Sequence, residues 1–309
     1  MKIITLTLNP AIDLHCYIEK FAPYHENLAK ITSQLASGKG VNISRALLAG
    51  GVENLAFVVL GEENGAGFAK ELTDSGMTIR SITVPGRIRE NMTVHTEGAD
   101  ETRISFSGFA ADASLLARVS ESLLDEIDAE TFVTFTGRVP DGIEMADTKR
   151  FLRSLEAKGA KIVIDSRSFG LSDLVEMKPW LIKPNQEEIS EYLGREINTF
   201  EEVLLAAKEL YAQGIENVMI SLGSQGALLV CADGAFVATP PSIDALSTIG
   251  AGDSTIGGFL AAAVQGETAE RMLASAVSYG TAACLTEGTL PPKGEDIPTV
   301  REAVTTKRI

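Results

Sequence analysis

From residue 112 the chain alternates helix-period segments with short apolar runs, and this alternation restricts its fold more than any other feature. Residues 113–127 are amphipathic, 131–136 are apolar and β-branched, 143–158 return to helical period, and 161–165 and 180–183 are apolar again. Helical stretches at 186–193 and 200–213 precede a further strand at 217–222. Strands separated by helices predict a parallel sheet wrapped by helices, because a parallel pair needs a crossover long enough to hold one.

The N-terminal part has a different rhythm. Residues 3–8 form an apolar run that stops at Asn9-Pro10, which reads as a first buried strand and is too short for a signal peptide. Runs at 14–21 and 28–36 read as two strands joined by a polar turn, 54–60 as a strand and 65–72 as a helix. Residues 78–84, 91–97 and 101–107 are short, Thr-rich and alternating, with Gly86, Gly98 and Gly108 between them, and read as a meander. The expectation is one α/β domain over 1–309, with a small lid sheet inserted from about 13–36 and 86–108. A hairpin around Asp233-Gly234, a helix at 270–285 and a short helix from about 299 complete the reading.

Bulk numbers exclude several classes. The net charge of −15 argues against nucleic acid and acidic membrane surfaces, which select basic faces. No run approaches the roughly 18 apolar residues of a membrane span. Cys16, Cys231 and Cys284 are odd in number and far apart, as reduced thiols in a cytoplasmic protein would be. His15, His25 and His95 lack metal-ligand spacing, so no zinc site is expected.

In so acidic a chain, clustered cations carry information. Arg87, Arg89 and Arg103 fall in the meander, where a phosphate clamp and a solvated face are both possible. Gly38-Lys-Gly-Val-Asn42 opens a helical segment but lacks the upstream glycine of a phosphate loop. Gly250-Ala-Gly-Asp253 is a loop of small residues running into the helix formers from Phe259 to Val264. Helix-start amides without bulky neighbours can receive an anion. Asp253 there is either an N-cap or a base beside a transferred phosphate, and the pentapeptide ending at Ser254 leaves the two even.

Five stretches, in order and at matching spacing from residue 3 to about 288, carry one resemblance. Asn9-Pro-Ala-Ile-Asp13, Gly38-Lys-Gly-Val-Asn42, Lys183-Pro-Asn-Gln-Glu-Glu188, Ser221-Leu-Gly-Ser-Gln-Gly226 and Gly250-Ala-Gly-Asp253 resemble the ribokinase-like (PfkB-type) sugar kinases. The first two are similar to the branch of 1-phosphofructokinases and tagatose-6-phosphate kinases. The resemblance implies a Rossmann-type core with a β lid, transferring the γ-phosphoryl group of ATP to a sugar-phosphate hydroxyl. It makes Asp253 the base and gives the amides of Gly250, Ala251 and Gly252 the transferred group. It assigns Asp13, Gly38, Lys39 and Asn42 to the sugar and Arg89 to the phosphate already on it. Asn185 and Glu188 are assigned to Mg2+ and phosphate, through water. Ser221, Gly223, Gly226, Ser247, Ile249, Ala283 and Thr286 fall to the nucleotide. One departure stands out: Thr136-Gly-Arg-Val-Pro140 replaces a Ser-Gly-Ser-Leu-Pro pattern, so Arg138 stands where the family has a small hydroxyl residue that touches substrate.

An ordinary Asp at position 253 would be ionised at neutral pH without tuning. Fructose 1-phosphate to fructose 1,6-bisphosphate is placed first as the reaction, with tagatose 6-phosphate the close competitor. From another class, a non-catalytic sugar-phosphate sensor on the same scaffold ranks below both. Alternating apolar residues such as Ile18, Ile31 and Val94 predict an uncovered lid face, hence a homodimer through the lid.

Overall fold

Every interior residue of the first strand, β1 (Lys2–Thr7), is buried, as a central strand covered on both faces requires. In the computed structural model, which describes residues 1–97 and 101–309, there follow β2 (Ala11–Tyr17), β3 (Lys30–Ser37), α1 (Lys39–Ala49), β4 (Leu55–Gly61), α2 (Gly65–Asp74) and β5 (Ile79–Val84). Next come β6 (Arg89–His95), β7 (Thr102–Ser105), α3 (Ala113–Leu123), β8 (Thr131–Thr136), α4 (Met145–Glu156), β9 (Lys161–Asp165), α5 (Leu171–Met177) and β10 (Leu181–Ile182). The chain continues through α6 (Gln186–Leu193), α7 (Phe200–Ala212), β11 (Asn217–Ser221), β12 (Ala227–Cys231), β13 (Gly234–Thr239), α8 (Ala251–Ala263), α9 (Ala269–Ala283), α10 (Asp296–Ala303) and β14 (Thr305–Arg308).

Ten strands make one sheet in the order β14-β13-β12-β11-β10-β9-β8-β1-β4-β5. The run from β5 to β11 is parallel, and β12, β13 and β14 extend it antiparallel. Alternate residues of β1 serve opposite faces: Ile4 and Leu6 join the core that includes Phe57, Phe135 and Leu152, whereas Ile3 joins Phe132, Ile256 and Phe259. The α/β core is thus the one anticipated.

The small sheet has the order β3-β2-β6-β7. β2 runs parallel to β6 with Ala11 opposite Arg89 and Asp13 opposite Asn91. Ile12 and Leu14 pack on the core, which turns Asp13 to the other face.

Several expectations need correction. Residues 78–84 do not join a meander; β5 pairs parallel with β4 at the edge of the large sheet, with α2 as the crossover. Its half-buried edge position produces the same alternation as a meander strand. α5 and β14 were absent from the sequence reading, because α5 is two turns long and β14, Thr305-Thr-Lys-Arg308, has no apolar pattern and is ordered by backbone pairing with β13. Gly98 lies outside the described residues. Ile18 and Val94, expected on an open lid face, are buried; Ile31 is exposed, as are Tyr17, Leu28, Ile104 and Phe106 on or beside the small sheet.

Candidate active site

Gly250 caps α8 with a left-handed backbone, φ 78°, which a residue with a side chain adopts only under strain. Because Gly250 has no side chain, the cap consumes no carboxylate. Asp253 is the third residue of α8, and its Oδ2 accepts from Asn42 Nδ2 at 2.8 Å instead of from a helix amide. The N-cap role is therefore excluded. Burial raises the Asp253 carboxyl to about 6; Asp165 pushes the same way, and Lys39, Asn42 and Lys183 only partly oppose it. The ordinary carboxyl expected from sequence is corrected accordingly: the low-dielectric site disfavours its charged form.

A charge cluster surrounds this carboxylate. Lys39 Nζ lies 2.7 Å from Asp165 Oδ2, and Lys183 Nζ lies 3.7 Å from Asp165 Oδ1. Burial drives the Asp165 carboxyl upward, but Lys183 and Lys39 outweigh it and hold the group below its usual range. Burial likewise pulls Lys39 down, and Asp165 and Asp253 more than offset it. Both groups therefore stay charged. Sequence reasoning used Asp165 and Lys183 only as strand ends or motif boundaries. The available signal was their position at the carboxyl ends of parallel strands, where open α/β sheets bind ligands.

The residues expected at the sugar end are built on the small sheet. Asp13 is buried and its Oδ1 accepts from Asn91 Nδ2 at 2.8 Å, with Arg103 Nη2 4.0 Å away. Arg89 opens β6, and its Nε is buried with no hydrogen-bond partner. Burial lowers the Arg89 guanidinium; Asp13 raises it, and the positive charges of Arg138 and Arg103 lower it further. Arg103 and Arg138 thus crowd Arg89 with positive charge that Asp13 only partly offsets, an excess that an incoming phosphate would neutralise. Arg87 does not take part: it is exposed and pairs with Glu90 at 2.6 Å and Glu63 at 3.9 Å. His15 Nδ1 and His95 Nε2 are 2.9 Å apart on the same sheet, a pairing not foreseen from sequence.

Beside Asp253 opens a cavity of about 580 Å³, lined by Asn185, Ser221, Gly223, Gly226 and Gly252, with Pro240, Ile243 and Val277 on its apolar wall. Gly226 has φ 95°, and a Cβ there would stand 1.9 Å from Ala238 O, so the backbone itself forms this wall. Ser247, Ile249, Ala283 and Thr286 are outside the lining: Ser247 Oγ accepts from the Ile249 amide at 3.2 Å, and Thr286 Oγ1 donates to Ala283 O at 2.8 Å. Their neighbours Thr248 and Cys284 line it instead. A smaller cavity of about 230 Å³ lies behind the small sheet, between Ile12, Ala36 and Phe68, and shares no residue with the site.

Asn185 and Glu188 form a capping box on α6: Asn185 Oδ1 accepts from the Glu188 amide at 2.7 Å, and Glu188 Oε2 accepts from the Asn185 amide at 3.0 Å. Glu188 Oε1 accepts from Arg167 Nε at 3.0 Å. Each oxygen keeps a further lone pair. Among the described residues no three His, Cys, Asp or Glu side chains gather as a metal cage. This donor set fits a hydrated magnesium ion, which keeps most of its waters, and does not fit a fully protein-ligated one.

The chain matches the pfkB family carbohydrate kinase model over residues 6–295. It is 33% identical over 282 residues to a 1-phosphofructokinase of Escherichia coli (strain K12), covering 91% of this chain and 90% of that protein. It is 29% identical over 294 residues to the ATP-dependent 6-phosphofructokinase isozyme 2 of the same strain, covering 94% of each. The crystal structure of phosphofructokinase-2 from Escherichia coli in complex with substrates and products superposes with a TM-score of 0.91 at 26% identity, over 98% of this chain and 99% of that one. A structure of the tetrameric inhibited form of that enzyme superposes with a TM-score of 0.89 at 26% identity, over 97% and 98%.

Proposed function

The chain belongs to the pfkB family of carbohydrate kinases and is an ATP-dependent sugar-phosphate kinase, and from that premise we propose that it phosphorylates fructose 1-phosphate to fructose 1,6-bisphosphate with Asp253 as the base. The observation that carries this reading is the Asp253 carboxylate, buried in the first turn of α8 and unspent on capping, bonded to Asn42 and next in sequence to Gly252 of the 580 Å³ cavity lining. Membership of an enzyme family sets the sensor reading aside.

The acceptor hydroxyl oxygen attacks the γ-phosphorus of ATP. Its proton passes to Asp253, and the bond from phosphorus to the bridging oxygen breaks with its electron pair leaving on ADP. The amides of Gly250, Ala251 and Gly252 receive the migrating oxygens, that of Ala251 releasing its long 3.4 Å bond to Thr248 O. Asp13 orients sugar hydroxyls from β2, with Gly38, Lys39 and Asn42 closing the same end. Arg89 and Arg138, joined by Arg103, hold the phosphate already on the sugar, bidentate contacts that a guanidinium makes well. The adenosine half of ATP lies in the cavity against Gly223, Gly226 and Ser221. Glu188 and Asn185 would hold Mg2+ through water, and the ion would supply neutralisation of phosphate charge.

A homodimer through the small sheet covers Ile31, Ile104 and Phe106, which are exposed in the single chain. Three free cysteines suit a cytoplasmic setting, and no helix among the described residues is long and apolar enough to cross a membrane. Likeness to a 6-phosphofructokinase favours a second acceptor, fructose 6-phosphate. ADP release measured against a panel of fructose 1-phosphate, fructose 6-phosphate and tagatose 6-phosphate, with Asp253→Asn as control, tests the reading. The highest kcat/KM is expected for fructose 1-phosphate, with the control's kcat lower by about 10²–10⁴ and sugar binding retained. Faster turnover of another acceptor replaces the substrate, and an active control removes the base.

A further inference from the structure

We propose that His15, oriented by His95 and Glu101, is a further substrate-binding residue: an imidazole at the mouth of the cleft that, when protonated, holds a phosphate oxygen of a bound substrate. This rests on the reading of the cleft as the meeting place of a sugar phosphate and ATP.

The three side chains form one line of hydrogen bonds. His15 Nδ1 and His95 Nε2 are 2.9 Å apart, the ring centroids are 5.2 Å apart and the ring planes differ by 19°. Two ring nitrogens come that close at that centroid distance only when both lie on the line between the rings. The imidazoles therefore meet edge to edge and share one proton along that line. A metal ion is excluded there, because two Zn–N bonds of about 2.0–2.1 Å do not fit in line between nitrogens so close. His95 Nδ1 stands 3.1 Å from Glu101 Oε1. An ionised carboxylate only accepts, which assigns the tautomers: His95 Nδ1 donates to Glu101, and His15 Nδ1 donates to His95 Nε2. Nε2 of His15 is left as the open end of the line.

That open end faces the neighbourhood of the α8 start. His15 Nε2 is 3.7 Å from the point a Cβ on Gly288 would occupy, and Cα of the next residue, Thr289, is 3.9 Å from the same point on Gly250, the cap of α8. One turn thus touches both the small sheet and the amides assigned to the migrating group. His15 also shares a sheet face with Asp13, since side chains alternate along β2, and its partner Thr93 on β6 pairs in turn with Arg103 on β7. Among the described residues, the charged or titratable groups on this side are Asp13 on β2, His95 on β6, Arg103 on β7, Glu101 just before it, and Glu287 beside Gly288 in the turn; β3 sets Ser33 opposite His15. Arg103 lies 4.0 Å from Asp13, and Glu101 is engaged by His95. A proton added at His15 Nε2 makes that nitrogen a charged donor, which Glu101 balances through the two rings. A phosphate oxygen is the acceptor that such a donor suits. Histidine changes charge between pH 5 and 8, so the contact strengthens as the pH falls across that range. His95 and Glu101 do not reach the ligand; they are positioning residues.

The test reads equilibrium binding and not turnover, because Asp253 itself changes charge near pH 6. Fructose 1-phosphate and a non-hydrolysable ATP analogue are titrated separately into the full-length parent, His15→Gln and His95→Gln at pH 6 and pH 8.5, after each variant's melting transition is checked. Each variant is compared with the parent at the same pH, so the ligand's own titration cancels. His15→Gln is expected to weaken at least one of the two ligands about tenfold at pH 6 and by less than about twofold at pH 8.5; the ligand affected identifies which phosphate His15 holds. His95→Gln is expected to weaken the same ligand by at least about threefold at pH 6, with binding at pH 8.5 within about twofold of the parent. Should His15→Gln lose its melting transition, His15→Val, a residue suited to a strand, is read with the same thresholds. Equal losses at the two pH values show that the pair only ties β2 to β6 and overturn the proposal. A parent that binds both ligands, with His15→Gln unchanged at pH 6, overturns this inference alone. A parent that binds neither ligand overturns the reading of the cleft and this inference with it.

Discussion

Asn42 and Asp253, 211 residues apart in sequence, are joined by a 2.8 Å hydrogen bond from Asn42 Nδ2 to Asp253 Oδ2. The contact ties the first turn of α1 to the first turn of α8, so the residue assigned to the sugar also orients the carboxylate proposed as the base. It favours the ionised carboxylate but does not overcome burial, which leaves the carboxyl at about 6.

The first prediction concerns rate and pH. With its proton held to about pH 6, Asp253 is a poorer base in mild acid than an ordinary aspartate. kcat/KM is expected to fall tenfold per pH unit below about 6, a limb that is absent if the base has the usual carboxyl value. A pH–rate profile from 5 to 9 checks it.

The second concerns stability. The folded chain binds the Asp253 proton more tightly than the unfolded chain does. Its contribution is therefore fully present below pH about 3.8 and is lost as the pH rises through about 6. A carboxyl carried from 3.8 to about 6 costs about 3 kcal/mol when ionised. Asp253→Asn is expected to melt higher than the parent at pH 8, with the gain shrinking toward pH 4; calorimetry at both values decides.

The third concerns the arginines. Arg89→Ala is expected to raise the KM for fructose 1-phosphate about 30- to 100-fold, as loss of a charge-assisted contact would, with KM for ATP nearly unchanged. Arg138→Ser, which restores the small residue of the family pattern, is expected to alter the ratio of kcat/KM between fructose 1-phosphate and fructose 6-phosphate. A ratio within twofold of the parent would show that Arg138 does not select the acceptor.

The fourth concerns assembly. Light scattering at micromolar concentration is expected to give twice the chain mass. Replacing Ile104 and Phe106 by Asp, both on the exposed apolar part of the small sheet, is expected to give one chain mass, since charges are excluded from a packed interface.

Most of the core was legible because it obeys simple periods. β8 and β9 match their predicted bounds, since both are fully covered runs with turn signals at each end. The site was legible where glycines and polar residues interrupt those periods, at Gly38 to Asn42 and Gly250 to Asp253. What could not be read depends on long-range meeting. Asp165 is unremarkable in sequence until β9 is set between β8 and β10, where Lys39 and Lys183 reach it from either side. The raised carboxyl of Asp253 is likewise a property of burial, and burial of a single helix residue has no local signature. β5 was placed in the wrong sheet because an edge strand of either sheet shows the same alternation.

Parallel pairing of β2 with β6 sets Ala11 beside Arg89 and Asp13 beside Asn91, so the residue assigned to the sugar's hydroxyls and the one assigned to its phosphate ride on a single hydrogen-bonded plate. Any tilt of that plate advances both or withdraws both. An acceptor long enough to reach both groups would therefore meet them at a fixed spacing, and one that reaches a single group would leave the other without its partner.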